Sequence, residues 1–348
     1  MKKIVIVLFL VAGFAGWSCS RFEDRKDLKQ SLQANAEKIN DAVSKISSTD
    51  GFKLISVNDA VTKSMECQNL VDTITLDMVA GIYTWQPDRY RYHHPYFPVS
   101  LFKKTGESEH MIVNMPERLM FRPKYLLNYC TCDSVKKNNF TIDASDYHLY
   151  FNGWNKCDYK LAAGFLLDAV SIGSCEITNV SDSENGTSYT SKYTFTEGLS
   201  ITTERSFNDT MKFSFALKDK DEVLLSEKVT SIWTKLRKIE REYILSIGNV
   251  DIVRSTGIDS IQVYVSGVLQ KKAAVKVIDE ASGDGEHSIC QSRDLEITFD
   301  DGTTTKLSTL IGPARETLKT LIPSLGNMYF AKHIVDYIAV SIFFNTHH

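Results

Sequence analysis

Apolar residues return every three or four positions, or after their sum, across residues 25–47, at Leu28, Leu32, Ala36, Ile39, Val43 and Ile46, with Lys, Gln, Glu and Asp between them. Side chains at that spacing share one face of a helix, so the pattern predicts an amphipathic helix, ended by Gly51 just after Thr49 and Asp50. Its apolar stripe has to cover something, either the chain's own body or, over about three heptads, the stripe of a partner helix.

From about residue 146 the period changes to two. Tyr189, Ser191, Tyr193 and Phe195 alternate with Thr190, Lys192 and Thr194. The same alternation recurs in Met211, Phe213, Phe215 and Leu217, in Ile261, Val263 and Val265, and in Leu295, Ile297 and Phe299. Alternation places one face of each strand inward. Glu197-Gly198, Asn208-Asp209, Ser266-Gly267 and Asp301-Gly302 separate the runs, and such pairs tolerate the positive φ of tight turns, so neighbouring strands are expected to join as antiparallel hairpins. A segment opening at Gly312-Pro313 sets Leu318, Leu321 and Ile322 on one helical face until Pro323 interrupts it. A last helix or strand carries Ile334, Ile338 and Ile342; Lys332, His333 and Asp336 beside them argue against a membrane span.

The fold class that follows is α+β: a mostly antiparallel β meander or sandwich with an N-terminal amphipathic helix and a C-terminal helical segment. The organisation divides into residues 1–18, a tether and helix over 19–50, an irregular β-containing region over 51–145, and an antiparallel β domain with its C-terminal helix over 146–348. Five of the seven prolines fall in the third part, at 87, 95, 98, 116 and 123, which is why it reads as short strands and loops.

Composition narrows the function. Hydrophobic residues make up 43% of the chain, enough for a substantial core. Losing residues 1–18 with Lys2 and Lys3 takes the formal net charge from −3 to −5, so no basic excess marks a nucleic-acid partner. Setting Cys19 aside, Cys67, Cys130, Cys132, Cys157, Cys175 and Cys290 permit up to three disulfides or a set of buried free thiols. Cys130-Thr131-Cys132 lacks the spacing of a reactive CxxC pair.

Catalytic motifs are thin. Ser100 to Gly106 holds an SxxK and a KTG back to back, whereas a serine–lysine site needs them on separate elements. Ser134 with Lys137 repeats the SxxK spacing without a partner. No GxSxG, HExxH or phosphate-binding glycine loop occurs, and no cofactor is implied. His93 and His94 are adjacent, so an extended chain points them to opposite faces and one metal cannot easily take both. The acidic loops at Asp182 and Glu184 and at Asp279 to Glu286 lack the alternating ligand order of a calcium loop. Trp85, Tyr90, Tyr92 and Tyr96 form an aromatic cluster of the kind that lines a sugar or peptide groove, with core packing as the competing role.

Lys2 and Lys3, the apolar run Ile4 to Ala12, and Gly16-Trp17-Ser18 before Cys19 form a charged, apolar and small-residue series. It resembles the signal peptide and lipobox of bacterial lipoproteins, with Trp17 bulkier than the usual occupant. Ser20 to Asp24 is similar to the acidic export tag of Bacteroidota lipoproteins. Asp72-Thr73-Ile74, Asp133-Ser134-Val135, Asp209-Thr210-Met211 and Asp259-Ser260-Ile261 are similar to that group's O-glycosylation triplet, which would make Thr73, Ser134, Thr210 and Ser260 acceptors, Thr210 in its turn ahead of Ser260 heading a strand. The resemblance covers residues 1–24 and the triplets, and implies cleavage at Cys19, lipidation there with palmitate-like chains, and an outer-membrane location on either face.

The expected function is a membrane-tethered binding or interaction lipoprotein of the cell envelope, with a glycan or an envelope protein as partner. Two alternatives remain from the residues alone. One is a carrier of an apolar ligand under the strands of residues 187–310. The other is an envelope hydrolase.

Overall fold

The computed structural model describes residues 27–56, 71–86, 102–117, 137–152, 156–182, 186–233, 239–258, 260–279, 293–312, 314–324 and 329–347. Among the described residues two helices come first, α1 (Leu28–Ser48) and α2 (Asp50–Ser56). The strand β1 (Val71–Thr75), a short turn of helix α3 (Leu76–Val79), and strands β2 (Gly81–Trp85), β3 (Phe102–Gly106) and β4 (Met111–Met115) follow. The long strands are β5 (Phe140–Asn152), β6 (Lys156–Leu167), β7 (Val170–Asp182), β8 (Gly186–Phe195), β9 (Leu199–Phe207), β10 (Thr210–Asp219), β11 (Glu222–Trp233) and β12 (Ile239–Ile247). The strands β13 (Val250–Ser255), β14 (Gln262–Val265) and β15 (Val268–Leu269) complete the main sheet. A smaller sheet holds β16 (Ala274–Asp279), β17 (Arg293–Thr298) and β18 (Thr304–Lys306), and three helices end the chain: α4 (Leu307–Ile311), α5 (Ala314–Ser324) and α6 (Tyr329–His347).

The architecture is α+β and mostly antiparallel. From β4 through β15 the main sheet follows chain order, except that β2 and β3 lie outside β4. The hairpins expected at Glu197-Gly198, Asn208-Asp209, Ser266-Gly267 and Asp301-Gly302 all form. Glu197, Ser266 and the three glycines have positive φ, as tight turns demand. The Asn208-Asp209 turn works differently: neither residue has positive φ, and the Asn208 side chain accepts the Thr210 N–H at 2.8 Å in place of that geometry.

Three features depart from the sequence reading. The pair β2–β4 is parallel, because β3 returns to the far side of β2 before the chain enters β4. The 145/146 division falls inside β5, at a bulge between Ala144 and Asp146. Below the bulge Phe140–Ala144 pairs with β4, and above it His148–Asn152 pairs with β1, so one sheet runs through the composition boundary. Gly51 does not end α1. Thr49 does: its extended backbone breaks the helix, its hydroxyl donates to the Ile46 carbonyl at 2.7 Å and accepts the Phe52 N–H at 3.1 Å. Gly51 sits inside α2, where a Cβ would collide with the Ile172 carbonyl.

Alternation gives the main sheet an inner and an outer face. The outer face is wet and charged, with cross-strand pairs such as Lys192–Glu176 (3.6 Å) and Lys160–Asp146 (2.5 Å). Helices cover the inner face. The stripe of α1 is buried from Leu28 to Ile46, and the helix is pinned to the sheet at turns: Asn35 donates to the Ile247 carbonyl (2.9 Å), and Lys38 pairs with Glu222 (2.6 Å). Gly248 has φ +57 and lies so close to Asn35 that any Cβ there would strike it. The last element, a helix or strand from the pattern, is a helix, and α6 packs near β1 and α3. Its Asp336 accepts the Tyr147 hydroxyl at 3.1 Å from β5. Aromatic side chains fill the middle, Phe165 stacking on Tyr193 with centroids 6.0 Å apart and Tyr193 meeting Phe195 edge-on at 4.8 Å.

Candidate functional site

Burial along the inner face changes steadily from one end of the strands to the other. In β10, Leu217 and Phe215 are sealed, Phe213 is half-buried and Met211 is 43% exposed. In β14, Val265 and Val263 are buried and Ile261, just before the strand, is half-buried. The small sheet repeats it: Val275 and Ile297 are buried partners, whereas their neighbours Val277 and Leu295 open outward. The covering helices therefore seal one end of the inner face and leave the other with apolar side chains at a hollow.

That hollow is a cavity of about 800 Å³ between the two sheets. Its floor comes from β12 and β13, through Tyr243, Leu245 and Ile252, with Val229 of β11 beside them. Its far wall is Leu295 and Val277 of the small sheet, and α4 closes the sealed end with Leu307 and Ile311. The turn after β13, Thr256 to Ile258, forms the rim. Pockets of about 300–1,000 Å³ with apolar walls and a few polar groups are the usual seats of small ligands.

The charged lining is Arg241, Glu242, Arg254, Asp294 and Arg315. Asp294 is already occupied. Its carboxylate accepts the Ser308 N–H (3.1 Å) and hydroxyl (2.5 Å) at the start of α4 and the Leu295 N–H (2.8 Å). Neither Arg241 nor Arg254 makes an ion pair among the described residues, and both are exposed.

On the floor's own face, Glu227 of β11 stands opposite Leu245 and hydrogen-bonds the Tyr243 hydroxyl. Burial raises the Glu227 carboxyl above its ordinary value, partly offset by that bond; burial and then the Glu227 charge push the Tyr243 hydroxyl up. The folded protein thus holds the Glu227 proton more tightly than the unfolded chain does, and stability contributed by this group falls as pH rises from 4.5 towards the raised value. Glu227→Gln is expected to be more stable than the parent at neutral pH, and the difference should vanish below about pH 4.5. Urea unfolding across a pH series checks it; a constant difference at every pH would remove the burial explanation.

The residues singled out from the sequence fall elsewhere. Trp85, read as a binding aromatic, is a core residue, 4% exposed. The alternation of β2 turns Gly81, Tyr83 and Trp85 inward, and Trp85 packs edge-on against Phe102 at 5.5 Å. Tyr90, Tyr92 and Tyr96 lie outside the described residues, as do Cys19, Ser134, the His93-His94 pair, Ser100, and Cys67, Cys130, Cys132 and Cys290. Lys103 and Lys104 are on β3, where Lys104 pairs with Glu107 at 2.7 Å. Lys137 pairs with Asp168 at 3.0 Å.

Of the acceptor triplets, Thr73 is half-buried in the middle of β1, opposite Tyr150, and Thr210 is half-buried at the first position of β10. Ser260 is exposed in a bend before β14, so it, rather than Thr210, is the most accessible of the three described hydroxyls. Cys175 is a free thiol 1% exposed, pushed up to about 12 by burial, so with Cys19 also set aside the remaining five cysteines can form at most two disulfides.

The cavity residues missed by the sequence reading had a signal. Arg241, Tyr243, Leu245 and Ile247 alternate along β12, and Val250, Ile252 and Arg254 along β13, so each apolar series closes on an arginine.

Fold and site together define a long antiparallel sheet protein, helix-sealed on one face, with a ligand-sized cavity at the unsealed end. No protein-family model, curated protein or solved structure matches the chain. Among the described residues no helix is long and apolar enough to cross a membrane, and no three potential metal ligands cluster.

Proposed function

We propose that the chain is an envelope lipoprotein tethered to the outer membrane through Cys19, and that its sheet is a binding module for a small apolar or amphipathic ligand. The observation that carries the binding reading is the cavity of about 800 Å³ at the unsealed end of the inner face, floored by Tyr243, Leu245 and Ile252. Apolar side chains facing a hollow of that size are what a small-molecule site needs and what a fully packed core lacks. Of the apolar side chains along the strands of residues 187–310, Tyr193, Phe195 and Phe215 are closed into the core, so the ligand space is confined to the end where Ile261 and Leu295 stand. Tethering supports the reading in a second way, since a lipid anchor holds such a cavity at a bilayer surface, where apolar ligands are concentrated.

Residues 20–348 retain every element described above, so a chain that begins after Cys19 tests the binding half of the proposal. Purified from the periplasm without detergent and examined by native mass spectrometry, it is expected to carry a bound amphiphile or to take one up when offered. A chain that emerges empty and refuses apolar probes would overturn the reading. Cys19→Ala in the full-length gene tests the tether: incorporation of radiolabelled palmitate should be lost.

A further inference from the structure

We infer that the ligand carries an anionic head group, held by Arg241 and Arg254, above an apolar tail. This rests on the binding reading just given.

The register of the floor makes the argument. Ile247 pairs with Val250, Leu245 with Ile252, and Tyr243 with Arg254, while Arg241 stands one step further along the same face of β12. Arg241 and Arg254 are therefore diagonal neighbours on one face, roughly 7–8 Å apart at the backbone and within mutual reach of long side chains. Along this face exposure climbs from Ile247 and Val250, which are sealed, through Leu245 and Ile252 to half-buried Tyr243 and the two exposed arginines. An apolar floor that ends in two guanidinium groups has the polarity of an amphiphile lying along it, its chain inward and its head at the mouth.

The charges around the mouth give the sign. Two like charges placed diagonally repel unless a counter-charge lies between them. The carboxylates around the floor do not supply it: Asp294 is bound at the start of α4, Glu242 alternates to the other face of β12 from Arg241 and Tyr243, and Glu227, deeper on the floor's own face beside Leu245, is bonded to the Tyr243 hydroxyl. An incoming carboxylate or phosphate would meet donors arranged for charge-assisted bonds, and guanidinium forks match both groups bidentately.

The test uses three probes with one chain, hexadecanoate, hexadecyl phosphate and hexadecanol, titrated by calorimetry below their aggregation concentrations into delipidated residues 20–348. Either anion is expected to bind at least about tenfold more tightly than the alcohol, and the tighter of the two names the head group. Arg241→Gln with Arg254→Gln should bring the anions down to the affinity of the alcohol and leave the alcohol unchanged, which also shows that the variant is folded. Equal binding of acid and alcohol by the parent, or a preference retained in the double variant, would overturn the head-group assignment and leave the cavity reading standing. Binding of none of the three would sink both.

Discussion

Lys332→Met is expected to lower the unfolding free energy by about 3–5 kcal/mol, the range for breaking a buried ion pair from one side. Asp336 is only 8% exposed, on the side of α6 that meets β5 and β6. Its carboxylate accepts the Lys332 ammonium at 2.5 Å and the Tyr147 hydroxyl at 3.1 Å. The same ammonium lies 4.0 Å from the Tyr159 ring centroid, so one cation serves both an anion and an aromatic face. Burial, then the Asp336 charge, hold the Tyr159 hydroxyl well above its ordinary value. Removing the cation leaves a carboxylate that has to stay charged without its partner or take up a proton. The paired variant Lys332→Met with Asp336→Leu removes both charges and should recover most of the loss, the remainder being the hydrogen bond that Tyr147 gives up. Guanidinium unfolding of the parent, the single and the double variant closes the cycle. A single variant within about 1 kcal/mol of the parent, the behaviour of a solvated pair, would show that α6 does not bury this charge.

Ile39→Asp is expected to be at least as damaging, at about 4–5 kcal/mol or more, because it sets an unpaired carboxylate into the core at the centre of the α1 stripe. Ile39 is 0% exposed, and the residues above and below it on that face, Leu32, Ala36, Val43 and Ile46, are all buried. A loss of that size takes most of the stability of an ordinary domain. Ser44→Asp, one turn on but exposed, is the control and should move stability by no more than about 0.5 kcal/mol. Thermal unfolding followed by circular dichroism separates the two. Equal behaviour would mean that α1 is not docked on the sheet in solution.

Much of the fold was legible because its signals are local. Six apolar positions of α1 at helical spacing sufficed to place that helix and its buried face, and the alternation around Phe195, Phe215, Val263 and Ile297 correctly assigned the inward side chains of four strands. Turn chemistry located the hairpins. What stayed hidden depends on partners distant in the chain. The parallel β2–β4 pair arises from the side on which β3 returns, and no residue type records that choice. Trp85 has the composition of a binding residue; only the inward register of β2 makes it core. The cavity needs β12 and β13 opposite β17 and α4, and period-two patterns say which face is inward without saying how completely another layer will cover it. Thr49 was overlooked for a different reason: glycine is the commoner helix terminator, yet here a hydroxyl able to bond at both helix ends performs the break.

The position of α1 has a consequence for the order of assembly. Nearly every pairing in the main sheet joins strands adjacent in the chain, so the meander can form by successive short loop closures, each with a small entropic penalty. The helix is the exception. Asn35 reaches Ile247 across a separation of 212 residues, and Lys29 reaches Asp301 across 272. The earliest of the described helices to be synthesised is thus among the last to find its seat, and its apolar stripe stays uncovered until the β12–β13 hairpin has been made. A holdase that shields amphipathic segments would act on this chain during that interval, and folding should slow when the N-terminal helix is detained.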